Sequence, residues 1–167
     1  MNYAKAHRYF DSQNRKEIRD TALEFSITDY TGKPNCTAVT YTFKQGTGEV
    51  GVDFKGLTKD RCIQNLRNSL NALNKKIYGK GYKDDEQLRV FPVLERKPGE
   101  RWHYHMAIEN PFSNVWDFDL LLRKTWKDTY WGYNETDIKH NVDAGWLHYI
   151  TKFENHDDTL DWQNYHN

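Results

Sequence analysis

Two histidines separated by one residue, His103 and His105, are the side chains in this sequence best placed to do chemistry. In an extended strand successive side chains alternate between faces, so both imidazoles project to one side and Tyr104 to the other. Neutral imidazole is a common metal ligand, and this spacing presents two ring nitrogens a few ångströms apart. Glu95 stands eight residues before His103. The intervening Arg96-Lys97-Pro98-Gly99-Glu100 carries a Pro-Gly pair, which predicts an antiparallel hairpin. The hairpin folds Glu95 back beside the histidines, where its carboxylate completes a His-His-carboxylate face. A mixed nitrogen and oxygen site with open positions suits Mg²⁺ or Mn²⁺ carrying waters and a phosphate oxygen. Glu109 and Glu100 compete as third ligand. Glu109 shares the histidine face but lies more than about 10 Å along the strand, and Glu100 sits in the turn. Glu95 is the better placed.

A metal site alone could cleave a phosphodiester with water. The segment Gly145-Trp146-Leu147-His148-Tyr149-Ile150-Thr151-Lys152-Phe153 offers another attacking group. On a helix, Tyr149 and Lys152 share a face. A phenol ionises near pH 10, and a neighbouring ammonium helps to stabilise its anion or a pentavalent phosphate. Tyrosine attack keeps the cleaved bond's energy in a phosphotyrosine and permits rejoining, which water attack does not. By itself Tyr-x-x-Lys is an ordinary amphipathic pair; the histidines give it weight.

These residues need a framework, and 167 residues supply one domain with a real core but no room for an added motor. The mean hydropathy of −0.98 and 29% charged residues are polar for a globular chain. The 15% aromatic content argues against disorder and exceeds what a small core uses, so some rings are expected to face a ligand. The net charge is zero, which removes any global basic field. Between Lys55 and Arg101, however, Lys and Arg outnumber acids by two to one, whereas after Lys152 only acids follow: Glu154, Asp157, Asp158 and Asp161. Cys36 and Cys62 offer no disulfide framework. No apolar run is long enough for a membrane span, and the N-terminus lacks a signal-peptide core. A reducing, cytoplasmic setting is the expectation.

Periodicity predicts the elements. A short helix fits Gln13 to Phe25, with Ile18, Ala22 and Phe25 on one face. A turn is expected over Tyr30 to Asn35, then a strand over Thr37 to Phe43, with a glycine-rich connection at Gly46, Gly48 and Gly51. The clearest helix starts at Thr58 as N-cap, buries Cys62, Leu66, Leu70, Leu73 and Ile77, and ends at Gly79 and Gly81. Strands Leu88 to Glu95 and Arg101 to Glu109 form the hairpin. A helix over Val115 to Asp128, capped by Asn114, sets Trp116 and Leu120 or Leu121 on successive turns. A strand over Tyr130 to His140 and a helix over Asp143 to Phe153 complete the pattern. The order β-α-β-β-α-β-α predicts an α+β fold, an antiparallel central sheet flanked by helices.

Three segments together resemble the HUH endonuclease superfamily, named for a His-hydrophobic-His signature, here His103-Tyr104-His105. Its first motif resembles Ala38-Val39-Thr40-Tyr41-Thr42-Phe43, its second Trp102 to Glu109 with an upstream acid at Glu95, and its third Tyr149-Ile150-Thr151-Lys152. They occur in the family's order and span roughly Thr37 to Phe153. The replication-initiator branch is the nearest, with a single tyrosine, since Gly145 and Phe153 stand four residues either side of Tyr149. The resemblance implies an RRM- or ferredoxin-like core over about residues 36–153 within one nicking and joining domain, preceded by a helix and followed by an acidic tail. It also implies Mg²⁺ or Mn²⁺ on Glu95, His103 and His105, and attack by Tyr149 with Lys152 assisting. The products are a 5′-phosphotyrosyl adduct and a 3′-hydroxyl that can later rejoin the ends.

The implied partner is single-stranded, origin-like DNA, hairpins among them, with a host helicase acting in trans as a further candidate. Single strands are held by stacking and backbone charge, so a neutral protein with exposed rings can bind them. Arg96, Lys97, Arg101 and Trp102 flank the histidines and are the expected DNA contacts. Trp126, Trp131, Tyr130 and Tyr133 are further stacking candidates, although more than half of these rings are expected to be core. Two other functions fit the same residues: a small single-strand transposase, which usually carries Gln rather than Lys after its tyrosine, and a non-catalytic nucleic-acid-binding module.

Overall fold

The structure, a computed structural model, describes residues 3–25, 35–48, 55–82, 86–153 and 158–167, with side chains described from Asn14 onward. Its elements are α1 (Tyr3–Glu24), β1 (Cys36–Phe43), β2 (Gly46–Thr47), β3 (Lys55–Gly56), α2 (Lys59–Tyr78), β4 (Val90–Glu95), β5 (His103–Glu109), α3 (Val115–Lys127), β6 (Gly132–Lys139), α4 (Ala144–Ile150) and β7 (Thr159–Leu160). Five strands form one antiparallel sheet in the order β6-β1-β5-β4-β7, and β2 pairs with β3 in a small ribbon. This is the expected α+β fold. The turn expected at residues 30–35 lies, apart from Asn35, outside the described residues, as do Gly51, Glu154 and Asp157.

Strand alternation divides the core into two layers. On one face Val39, Tyr41, Phe43, Val90, Leu94, Tyr104, Met106 and Ile108 pack against α2 and α3. On the other, Phe91, Val93 and Ala107 pack against Ile18, Ala22 and Phe25 from the α1 end and Leu147 and Ile150 of α4. The stripe on α2 is buried as its spacing predicts, and each fully buried leucine such as Leu66 or Leu73 contributes about 1.5–3 kcal/mol. Thr58 caps that helix by accepting from the Arg61 amide, and Gly79 closes it with φ of 90°.

Helix α3 turns a different face inward than expected. Trp116 and Leu120 are exposed, while Phe118, Leu122, Thr125 and Trp126 are buried. Trp126 fixes this phase: its ring stacks on Tyr41 with centroids 4.4 Å apart, and its indole nitrogen donates to the Thr42 carbonyl at 3.1 Å. Gly132 opens β6 so close to the end of α3 that a Cβ there would lie 2.0 Å from the Trp126 carbonyl oxygen.

The segment after residue 157 is not the solvated acidic tail that composition suggests. Thr159 and Leu160 pair with Leu94 and Val93, and Val90 bridges to His166. Asp161 is buried and accepts hydrogen bonds from the Tyr104 hydroxyl at 2.7 Å and from Asn164 Nδ2 at 2.6 Å. Burial and the Asp161 carboxylate push the Tyr104 hydroxyl far above its ordinary ionisation range, so it remains a donor. Replacing Tyr104 by phenylalanine leaves that carboxylate short of a partner and is expected to cost about 1–3 kcal/mol. Urea denaturation should show a lower midpoint with an unchanged slope; an unchanged midpoint would mean the bond contributes nothing to stability.

Among the described residues no helix is long and apolar enough to cross a membrane. Cys36 and Cys62 are both buried free thiols.

Candidate active site

The hairpin is what brings the first three candidates together. In the β4–β5 ladder Glu95 lies opposite His103, and Val93 opposite His105. The connecting Lys97-Pro98-Gly99-Glu100 closes with the Glu100 amide donating to the Lys97 carbonyl at 3.0 Å. Gly99 takes φ of 79°, as the third position of a type II turn requires. His103 and His105 therefore leave the sheet on the α4 side while Tyr104 is buried on the α2–α3 side.

On that face Glu95 Oε2 lies 2.8 Å from His105 Nε2, and Lys97 Nζ lies 3.7 Å from Glu95 Oε1. The hydrogen bond with His105 holds the Glu95 carboxyl below its ordinary range, outweighing the opposing effect of burial. It is an ionised acceptor at neutral pH. The His105 ring is held at its other nitrogen too, with Thr40 Oγ1 on β1 lying 3.0 Å from Nδ1. The His103 ring lies nearly parallel to it, centroids 6.2 Å apart. Burial first, and the neighbouring His105 second, lower the pKa of His103, so its imidazole is neutral and available as a donor of electrons. Glu109 pairs with Cys36 at the opposite end of the β1–β5 ladder.

The donor set is two imidazoles and a carboxylate, chemically suited to a divalent cation. Glu95 and His105 already oppose their donor atoms, and the Thr40 contact is the kind of outer-shell support that metal-binding histidines have. Among the described residues, however, no three His, Cys, Asp or Glu side chains are gathered as a ready metal-binding group. Their side chains would have to converge around an ion.

Tyr149 reaches the same place from α4. Asp143 caps this helix through the Gly145 amide at 2.8 Å, and the apolar Leu147 and Ile150 hold it against the sheet. The helix is shorter than expected. It ends at Ile150 with Thr151 as C-cap, so Lys152 follows the helix rather than standing one turn along it. The pairing survives this change, because Lys152 Nζ lies 5.4 Å from the Tyr149 ring centroid. Trp146 covers the other side. Its ring stacks against Tyr149 at 5.5 Å, meets His105 edge-on at 6.1 Å, and is pinned by its indole nitrogen to the Met106 carbonyl at 2.9 Å. Glu95, Lys97, His105, Tyr149 and Lys152 line one cleft between β4, β5 and the end of α4. Tyr149 remains 54% exposed at its mouth.

Asp158 also lines this cleft, and sequence reasoning missed it. Its carboxylate accepts from the Arg96 amide at 3.4 Å, and the β4–β7 pairing brings it beside Glu95. A two-residue strand has no periodicity to read, so this position carried no signal. Thr40 and Trp146 were legible only as parts of a strand and a helix.

The expected DNA contacts separate. Arg96 is exposed and lies over Trp102, its guanidinium carbon 5.2 Å from the ring centroid; Arg101 is exposed over Tyr133 at 4.6 Å. Lys97 is in the cleft. Trp102 does not present its ring to a base: it is 5% exposed within the α2–α3 core layer, because it shares the parity of Tyr104 along the strand. Trp126 and Trp131 are core as well, whereas Tyr130 and Tyr133 remain exposed.

Comparison with known proteins agrees with this arrangement. A family model for replication-associated proteins of the ORF2 type matches residues 36–157, a span that contains β1, the histidine hairpin and the Tyr149 helix. No curated protein and no solved structure matches the chain.

Proposed function

The chain belongs to this ORF2-type family of replication-associated proteins, and on that premise we propose that it nicks and rejoins single-stranded DNA at a replication origin through Tyr149. The observation that carries this reading is the single cleft shared by Glu95 and His105 from the sheet and Tyr149 and Lys152 from the end of α4. Glu95, His105 and His103 would hold a divalent Mg²⁺ or Mn²⁺, which when bound supplies Lewis-acid polarisation of a phosphate oxygen.

The protein's own groups do the rest. Tyr149 Oη forms a bond to phosphorus as the bond from phosphorus to the 3′-oxygen breaks. Its proton is released at the solvent-exposed mouth of the cleft, and the leaving oxygen takes up one to become a free 3′-hydroxyl. The products are a 5′-phosphotyrosine and that hydroxyl, and attack by the hydroxyl on the adduct regenerates Tyr149 and joins the strand. Lys152 places a positive charge beside the phenol and the phosphate oxygens, favouring the more negative transition state. Trp146 limits the directions from which Tyr149 can approach. Exposed Arg96 and Arg101 suit phosphate contacts that position the strand, and Tyr130 and Tyr133 suit base stacking.

The reading is tested with the full chain and a labelled single-stranded origin library. With Mn²⁺ or Mg²⁺ we expect one cleaved product and a protein–DNA adduct that survives denaturing electrophoresis. Excess chelator should abolish both. Binding of the library with neither cleavage nor adduct would favour a non-catalytic binding module instead.

A further inference from the structure

We propose that Thr40 is a positioning residue whose hydroxyl allows His105 to exchange its contact with Glu95 for a divalent cation. The inference rests on reading Glu95, His103 and His105 as the cation-binding side chains.

Thr40 stands opposite His105 in the β1–β5 ladder, so both side chains leave the sheet on the same face. Each nitrogen of the His105 ring has one neighbour: Glu95 Oε2 at 2.8 Å from Nε2, and Thr40 Oγ1 at 3.0 Å from Nδ1. An ionised carboxylate can only accept a hydrogen bond. In the arrangement observed, a neutral His105 therefore carries its proton on Nε2, and Nδ1 accepts from the Thr40 hydroxyl.

A cation needs the lone pair on Nε2, which moves the ring proton to Nδ1. Nδ1 then requires an acceptor. A hydroxyl can donate or accept by rotating its one hydrogen, so Thr40 satisfies the ring in both states without any backbone change. A carbonyl or carboxylate at this position would serve only the loaded state, and an amide N–H only the empty one. Valine, nearly the same shape, serves neither, and it leaves a partly buried Nδ1–H without a partner when the cation binds.

The test compares wild-type chain, Thr40→Val, Thr40→Ser and His105→Ala, with Mn²⁺ alone as the probe in isothermal titration calorimetry. Removing an outer-shell partner of a ligating histidine weakens metal affinity roughly 10- to 100-fold, and that is the expected effect of Thr40→Val. Thr40→Ser restores the hydroxyl and should bind within about threefold of wild type, a rescue that a purely packing role of the threonine methyl would not give. Nitrogen NMR of the His105 ring adds a readout independent of metal. Metal-free wild type should show protonated Nε2 and a hydrogen-bonded Nδ1, and Thr40→Val should remove the signature at Nδ1 alone.

Equal Mn²⁺ affinity of the valine variant and wild type overturns the role of Thr40 while leaving the cation site standing. Absence of Mn²⁺ binding by wild type, or binding unchanged in His105→Ala, overturns the cation site itself and the role of Thr40 with it.

Discussion

Tyr149→Phe should form no covalent adduct with single-stranded DNA, and its metal-dependent cleavage should fall by about four orders of magnitude or more, as removal of a catalytic nucleophile does. The substitution is nearly silent in every other respect. Phenylalanine keeps the ring that stacks on Trp146 and lies under Lys152. The residue is 54% exposed, so loss of its hydroxyl leaves no buried group unsatisfied. Folding and DNA binding should therefore match wild type, measured by thermal melting and by fluorescence anisotropy with a labelled strand. Cleavage that continues at the wild-type rate would identify water as the attacking group and reduce Tyr149 to a wall of the cleft.

The second large effect is expected at His105. This residue is the junction of the site: Thr40 and Glu95 hold its two nitrogens, and Trp146 links it to the Tyr149 helix. His105→Ala removes a cation donor and also the partner that keeps Glu95 ionised and oriented. A Lewis acid contributes several kcal/mol to phosphoryl chemistry. At about 1.4 kcal/mol per factor of ten, its loss lowers the rate by roughly three orders of magnitude. His103→Ala should be milder, because that ring stands beside His105 and does not line the cleft. Single-turnover cleavage across a Mn²⁺ titration measures both. Equal defects in the two variants would show that the histidines act as equivalent ligands, and a milder defect at His105 would contradict the geometry.

Most of the site was readable because it depends on rules that act over short distances. The two-residue spacing of His103 and His105 settles their common face once the strand is recognised, and the Pro98-Gly99 turn returns Glu95 to that face. The same parity rule, applied one residue earlier, would have put Trp102 beside Tyr104 in the core rather than against DNA. The interior face of α3 was harder to read, since Trp116, Phe118, Leu120, Leu122 and Trp126 offer two apolar stripes. Stacking of Trp126 on Tyr41, 85 residues away in the chain, decides between them. Lys152 kept its relation to Tyr149 although the helix ends before it, because the chain's exit turn replaces the expected helical turn. Asp158 depends wholly on tertiary pairing. Nothing local distinguishes it from Asp157, and only the β4–β7 ladder brings it to the cleft.

The central claim is that Tyr149 itself takes up the DNA strand, and one measurement addresses it directly. The trapped adduct is digested with nuclease and trypsin, and the modified peptide is fragmented by tandem mass spectrometry. Cleavage after Lys139 and Lys152 releases His140 to Lys152, a peptide in which Tyr149 is the sole tyrosine. The account predicts the mass of a 5′-linked nucleotide on that peptide, with fragments placing it on Tyr149. A nucleotide on any other peptide, or linkage through a 3′-phosphate, would contradict it.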